Sequence, residues 1–356
     1  MNYIGSKLSL LEFLENSINK VVDKKDNKVF CDLFAGTGAV GAYFKRKGFQ
    51  IVANDIQYYS YVLNKHYIGN HKPLVFHKLS KELLKLKNIK LEDRKDFVCD
   101  YLSGLKGVKG FIYRNYCMDG TKNKKVQRQY FSDINSMRCD AIRQKIENWK
   151  TEKFINNNEY YFLLATLLES IDKYANTASV YGAFLKKLKK SALNNLVLKP
   201  AELIINDQDH KVFNEDINKV IKQVKGDILY LDPPYNHRQY AANYHILETI
   251  AKYDNPKIHG KTGLRDYENQ KSLYCSRPEV KKAFKDLILG AKVKYIFLSY
   301  NNEGLMTAKD IKEIMGLRGE YGYFTKAYNR FKADKMENRS YKANKTMEYL
   351  HYVVCR

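Results

Sequence analysis

The residues best placed to do chemistry lie in one run, Gly226-Asp227-Ile228-Leu229-Tyr230-Leu231-Asp232-Pro233-Pro234-Tyr235. Ile228 to Leu231 predict a short buried strand, with Asp232 at its end. Pro233 and Pro234 stop that strand. They fix φ and remove two donors, so the turn holds its shape before any ligand arrives. A carboxylate, a carbonyl and a ring on one rigid turn suit an exocyclic amino group on a planar base. Asp232 can accept one N–H, the Pro233 carbonyl the other, and Tyr235 can stack on the ring. Drawing both amino protons into acceptors makes the nitrogen more tetrahedral and more nucleophilic, which is electrostatic rather than covalent catalysis. Taken alone, Asp-Pro-Pro is as readily a proline-terminated strand with a surface carboxylate. The rest of the chain decides between the two.

A second constellation precedes it. Val29 to Phe34 predict a buried strand, and Ala35-Gly36-Thr37-Gly38-Ala39-Val40-Gly41 leads into a helix running to about Lys47. Gly-x-Gly-x-x-Gly between a strand and a helix is a dinucleotide fingerprint in its expected context. It says that a ligand approaches the backbone closely, not which ligand. A second strand, Phe49 to Asn54, ends at Asp55. An acid there usually bonds two vicinal ribose hydroxyls, which NAD and S-adenosylmethionine both carry. Glycine loop and Asp-Pro-Pro-Tyr turn should share one sheet edge, where open α/β sheets bind ligands.

These motifs need elements to hold them. Gly5-Ser6 is expected to open a helix whose apolar residues are Leu8, Leu11, Leu14 and Ile18. From about Tyr58 to Asn195 the α/β alternation disappears. Helices are predicted over Leu79 to Leu91, Phe131 to Trp149 and Tyr160 to Lys173, the second with Ser132 or Asp133 as cap and with Ile134, Met137, Ile142 and Ile146 on one face. Asn156-Asn157-Asn158 reads as a loop. The alternation returns near Leu196. Helices follow over Ile217 to Val224, His245 to Tyr253 and Pro278 to Leu289. Val293 to Ser299 is another buried strand, and Tyr321 to Arg330 with Met347 to Val354 predict a closing antiparallel pair.

The net charge of +23 arises from 62 basic against 39 acidic residues, so it is an excess of cations and not a lack of acids. Such a field attracts polyanions, nucleic acid foremost. Basic residues concentrate between the helices, in Arg114, Lys122, Lys124, Lys125 and Arg128, interleaved with Tyr113, Tyr116 and Tyr130. These side chains bond phosphates and base edges or stack on bases. Lys186-Lys187-Leu188-Lys189-Lys190 adds a second cluster. Hydrophobic residues make up 44% of the chain, which suits a globular protein. No Cys-x-x-Cys pair or paired-His spacing accompanies the six cysteines, so no metal site is expected. With no apolar run long enough for a signal peptide or a bilayer span, the expectation is a cytoplasmic protein with reduced thiols and no membrane partner.

Together the motifs resemble the amino-methylating DNA methyltransferases, specifically the adenine-N6 class found with restriction systems and in the Dam family. The resemblance runs from Asn2 to the C-terminal strands. It implies a Rossmann-like α/β sheet binding S-adenosylmethionine, made by residues 1–57 and 195–356. Residues 58–194 would form an inserted, largely helical region that reads DNA. By the same resemblance Tyr3, Gly5, Lys7, Asp32, Phe34, Gly36 and Gly38 line the cofactor. Asp55 holds its ribose and Asp216 lies near its adenine. Asp232, Pro233, Pro234 and Tyr235 hold a flipped target base in duplex DNA. The region from Gly110 to Trp149, Asn236-His237-Arg238-Gln239-Tyr240 and Asn243-Tyr244-His245 look like those of a restriction–modification enzyme. Arg238 and Gln239 therefore join the residues expected on DNA, and a cognate restriction endonuclease is the expected partner. Alternatives are a cytosine-N4 enzyme, which more often carries Ser at the position of Asp232, and an RNA amino-methyltransferase, since some rRNA guanine enzymes share the turn. A nicotinamide dehydrogenase fits the glycines alone, and a non-catalytic nucleic-acid binder leaves both motifs unexplained.

Overall fold

The computed structural model describes residues 3–23, 28–329 and 345–356. Asn2 and Arg330, which the sequence reading includes in its motifs and strands, lie outside them. The chain divides into two compact units. One comprises Ile4–Asn64, Asn206–Ala241 and Glu268–Arg356. The other comprises Met1–Tyr3, Lys65–Ile205 and Ala242–Tyr267.

The first unit carries the sheet. Among the described residues its strands are β1 (Val29–Asp32), β2 (Gln50–Asn54), β3 (Lys211–Phe213), β4 (Ile228–Leu231), β7 (Tyr295–Asn301), β8 (Gly319–Asn329) and β9 (Lys345–Cys355); β5 (Ile258–His259) and β6 (Leu264–Arg265) form a separate hairpin in the second unit. The strand order is β3-β2-β1-β4-β7-β9-β8. Strands β3 to β7 in that order run parallel, while β9 is antiparallel to β7 and to β8. Every residue of β4 is buried, as expected of a parallel strand covered on both faces. Phe30 of β1 stacks on Phe44 of the helix Ala39–Arg46, with centroids 4.1 Å apart. Leu229, Leu231, Ile296 and Leu298 pack in one core with Phe284, Leu287 and Ile288 of the helix Val280–Gly290.

Asp227 locks the central register from below. Its Oδ2 accepts from the N–H groups of Lys28 (2.8 Å) and Val29 (2.9 Å), and its Oδ1 pairs with Lys294 (3.2 Å). The chain runs outward from β1 through β2 to β3, then returns to β4 on the other side of β1. The carboxyl ends of β1 and β4 thus flank the topological switch point, where such sheets bind ligands. Asp32 is level with Tyr230, so the glycine loop and the Asp232 turn leave the same edge side by side.

The second unit is largely helical. Ser132 caps the helix Asp133–Thr151 by accepting from Asn135 N, and Asn156 with Glu159 forms a capping box on the helix Asn157–Tyr174. The asparagine run expected to be a loop therefore begins a helix. Ile134, expected on the buried face, is 53% exposed. Leu79 to Leu91 form no α-helix but three short turns of 3-10 helix, Lys78–Lys81, Leu84–Asn88 and Leu91–Asp93. Leu79 and Leu86 are buried, and the non-helical backbone of Leu83 (ψ 81°) separates the turns.

The division departs from the sequence boundaries in four places, of which residues 1–3 and 195–205 fall in the helical unit. The helix Tyr58–Asn64 belongs with the sheet, because Asn64 Nδ2 donates to the Gly36 carbonyl (3.0 Å). Residues 242–267 belong with the helices. There Arg143 Nε donates to the Ile250 carbonyl (2.9 Å), and Tyr253 Oη donates to Asp140 Oδ1 (2.6 Å).

Candidate active site

The glycine loop closes β1 onto the helix Ala39–Arg46. Gly36 (φ +52°) and Gly38 (φ +80°) occupy the left-handed region, where a side chain is strained. A Cβ on Gly38 would fall 2.9 Å from Asn64 Oδ1. Asp55, at the end of β2, holds the loop. Its Oδ2 accepts from Gly36 N (2.9 Å) and its Oδ1 from Gln57 N (2.8 Å). The carboxylate thus ties the glycine loop to the end of β2.

Asp32 ends β1 and is buried, with Oδ2 accepting from Gly41 N (3.1 Å). Burial, with the charges of Asp232 and Asp55 nearby, pushes its carboxyl up to about 8, against the Gly41 bond. Its Oδ1 and Asn64 Oδ1 are buried acceptors without a donor among the described residues. Unmet acceptors at a glycine loop fit a ligand that brings donors, such as an α-ammonium group. Phe34 meets Tyr274 edge to face at 4.9 Å. Asp216 caps the short helix Ile217–Val220, accepting from Asn218 N at 2.9 Å.

The Asp232 turn carries an ion cluster that the sequence does not announce. Lys7 Nζ lies 3.0 Å from Asp232 Oδ1 and 3.2 Å from Glu348 Oε1. Lys7 is 5% exposed and Glu348 1%, while Asp232 keeps 17% of its side chain open. Ser299 of β7 donates its hydroxyl to Glu348 Oε1. Burial works to lower the Lys7 pKa, but attraction to Asp232 and Glu348 overrides it and holds the ammonium well above its usual range. Asp232 is pushed up to about 6 by burial and by the Glu348 charge, with Lys7 pulling the other way. Tyr235 is half-buried and meets Tyr300 edge to face (6.4 Å, 81°), while its carbonyl accepts from Leu305 N at 3.1 Å. Ring and carboxylate are both fixed before a base arrives.

Gly5 (φ +77°) makes the turn that brings Lys7 to this cluster. A Cβ there would meet the Tyr240 hydroxyl at 2.9 Å, and that hydroxyl donates to the Ile4 carbonyl (3.2 Å). Ser6 does not cap the following helix. Lys7 precedes a 3-10 turn, Leu8–Leu10, and the buried residues are Leu10, Leu14 and Ile18, with Leu8 exposed. Tyr3 lies in the helical unit, where it stacks on Tyr244 at 4.7 Å.

Lys7, which the resemblance assigns to the cofactor lining, thus pairs with the Asp232 turn and with Glu348. Sequence reasoning missed Glu348, Ser299 and Asn64. The signal for Glu348 was a lone acid inside the apolar strand Met347 to Val354, a pattern that demands a buried partner.

The basic residues of the helical unit fall into two kinds. Arg114, Lys122, Lys124 and Lys125 are exposed. Arg128 is not. It is buried and donates to the carbonyls of Gly260 (2.8 Å) and Lys261 (3.0 Å), so its guanidinium fastens the loop before β6 and leaves the set expected on DNA. In the sheet unit Arg238 is exposed, but both ends of the Gln239 amide are taken by the Ser272 backbone. Among the described residues no helix is long and apolar enough to cross a membrane, and no group of three or more His, Cys, Asp or Glu side chains is arranged to hold a metal.

Comparison with known proteins agrees with this geometry. Residues 3–315 match the family described as D12 class N6 adenine-specific DNA methyltransferase. The type II methyltransferase M.NlaIII of Neisseria lactamica is 52% identical over 352 residues, covering 99% of this chain and 98% of that protein. M.CviAII of Paramecium bursaria Chlorella virus 1 is 35% identical over 99% of this chain and 98% of its own length. M.FokI of Planomicrobium okeanokoites is 40% identical over 99% of this chain, which spans only 52% of that larger protein. The glycine loop, the Asp-Pro-Pro-Tyr turn at the sheet's switch point and these full-length similarities have one reading: the chain belongs to the D12 class of N6 adenine-specific DNA methyltransferases.

Proposed function

We propose that the chain methylates N6 of an adenine flipped out of duplex DNA, with S-adenosylmethionine as donor, as the modification partner of a type II restriction system. The observation that carries this reading is the adjacency of Gly36 and Asp232 at one sheet edge, across the β1–β4 switch point. When bound, S-adenosylmethionine supplies an electrophilic methyl group. Asp32, Gly36, Gly38 and Asp55 are the residues fitted to hold it, with Phe34 and Asp216 around its adenosine. An adenine amino group is buried by pairing in a duplex, so the base must leave the stack at a cost of about a few kcal/mol. Stacking on Tyr235 returns roughly 1–3 kcal/mol of that. Asp232 Oδ2 and the Pro233 carbonyl then accept the two amino protons, and Asp232 takes the proton that the nitrogen sheds. The type II names of the relatives support a cognate endonuclease as functional partner.

The test is incorporation of labelled methyl from S-adenosylmethionine into duplex DNA and into RNA, followed by mapping of the modified base in DNA from expressing cells. N6-methyladenine at one short recurring sequence is expected. Methylation of RNA alone, or of cytosine, would refute the reading.

Two further results are expected. Asp55→Ala removes both the strut under Gly36 and the acceptor for ribose hydroxyls. Affinity for S-adenosylmethionine should fall by about 2–4 kcal/mol, the usual worth of bonds to a charged group. Calorimetric titration reads this directly, and unchanged affinity would leave Asp55 with the strut role only. Neutralising Lys124 and Lys125 together should flatten the salt dependence of DNA binding, because phosphate contacts release counterions. Cofactor affinity should not change. An unaltered salt slope would move the DNA surface away from this stretch.

A further inference from the structure

We propose that Glu348, on β9, is a positioning residue for methyl transfer: acting through Lys7, it fixes the Asp232 carboxylate and keeps the net charge of the catalytic cluster negative. The inference rests on the reading of Asp232 as the acceptor of the target amine. Lys7 Nζ spans the two carboxylates, 3.0 Å from one and 3.2 Å from the other, and both Lys7 and Glu348 are buried. A cation bonded on two sides cannot swing. Its contact pins Asp232 Oδ1 and leaves Oδ2 for the incoming N–H. Ser299 pins Glu348 in turn, and β7–β9 pairing sets Glu348 opposite Asn301.

Charge gives the second half of the argument. With Lys7 and Asp232 alone the pair is neutral, and the ammonium draws electron density away from the carboxylate that must attract the amine protons. Glu348 makes the ionised triad net negative, and this is the sign that stabilises a nitrogen gaining positive character. The other titratable groups facing this cluster are Tyr230 and Tyr235 from the catalytic strand and turn, and Asp32 from β1. None of them is a cation, so among the described residues Lys7 is the single positive charge acting on Asp232. A structural salt bridge would have needed only one carboxylate. The second is costly to bury, and a role in the reaction accounts for it.

Rates of methyl transfer to unmethylated duplex DNA, measured with the full chain from pH 5 to 9, test this. Wild-type activity comes first: if the wild type transfers no methyl to adenine, the functional reading fails and not this inference. Glu348→Gln keeps shape and removes charge. It should lower kcat at least about tenfold, roughly the effect of losing 1.4 kcal/mol in the transition state, with KM for S-adenosylmethionine changed little. Loss of the repelling charge should lower the pKa of Asp232, so the acid limb of the rate profile should move down by about one pH unit. Glu348→Asp, which keeps the charge, should restore the wild-type acid limb. A folded Glu348→Gln enzyme with unchanged kcat and an unmoved acid limb overturns the proposal. Should that variant fail to fold, Ser299→Ala decides: a several-fold loss of kcat at constant cofactor KM supports the proposal, and wild-type kcat overturns it.

Discussion

Asp232→Ala is expected to abolish methyl transfer while S-adenosylmethionine binding persists within a few-fold. The reason is a division of labour along the sheet edge. The glycine loop is held by bonds that do not involve Asp232: Gly36 N donates to Asp55 Oδ2 at 2.9 Å and Gly38 N to the Ala35 carbonyl at 2.8 Å. Asp232 instead faces Lys7, and in the proposed mechanism its second oxygen accepts from the target amine. Removing it takes away the charge that develops its full worth only in the transition state, so kcat falls and cofactor affinity does not. A loss of about 10²–10³-fold in kcat matches the removal of a comparable electrostatic group. Single-turnover methylation beside calorimetric cofactor titration separates the two effects. Near wild-type transfer by Asp232→Ala would refute the mechanism while leaving the fold intact.

Lys7→Met should be the most destabilising change in this region. It leaves two carboxylates, one almost fully buried, facing each other without a cation. Breaking a buried pair by removing one partner typically costs about 3–5 kcal/mol. The pH dependence distinguishes lost charge from lost packing. Lys7 has a raised pKa in the fold, so its stabilising contribution is complete below the unfolded value of 10.5 and disappears only as pH rises through the folded value. It is therefore fully present in neutral buffer. Asp232 is raised from 3.8 to about 6, so across that window the folded chain binds more protons than the unfolded chain and stability falls as pH rises. Without Lys7 the Asp232 value climbs further, and the decline extends toward alkaline pH. Denaturant unfolding at pH 5.5 and 8.5 should give a larger loss at 8.5. An equal loss at both would mean that Lys7 acts through packing alone.

Local sequence determined the reaction class and the elements that carry it. The strand Ile228 to Leu231, its proline stop and the Gly36-Thr37-Gly38 loop are specified by neighbours in the chain: short apolar runs, residues that lock φ, and glycines that enter the left-handed region. Their placement on one edge followed from the parallel α/β order. The capped helix from Asp133 was equally legible, because Ser132 bonds a backbone group only three residues away. Tertiary structure decided what depends on burial and distant partners. Arg128 has the composition of a phosphate ligand, yet packing against the loop at Gly260 makes it a fastener. Leu79 to Leu91 have helical spacing, yet only Leu79 and Leu86 are fully covered and the segment breaks into turns. Lys7 and Glu348 stand near opposite ends of the chain, and no local pattern links them. Their meeting at Asp232 requires the whole sheet, because β9 must pair with β7 before Glu348 can reach the lysine that the Gly5 turn delivers.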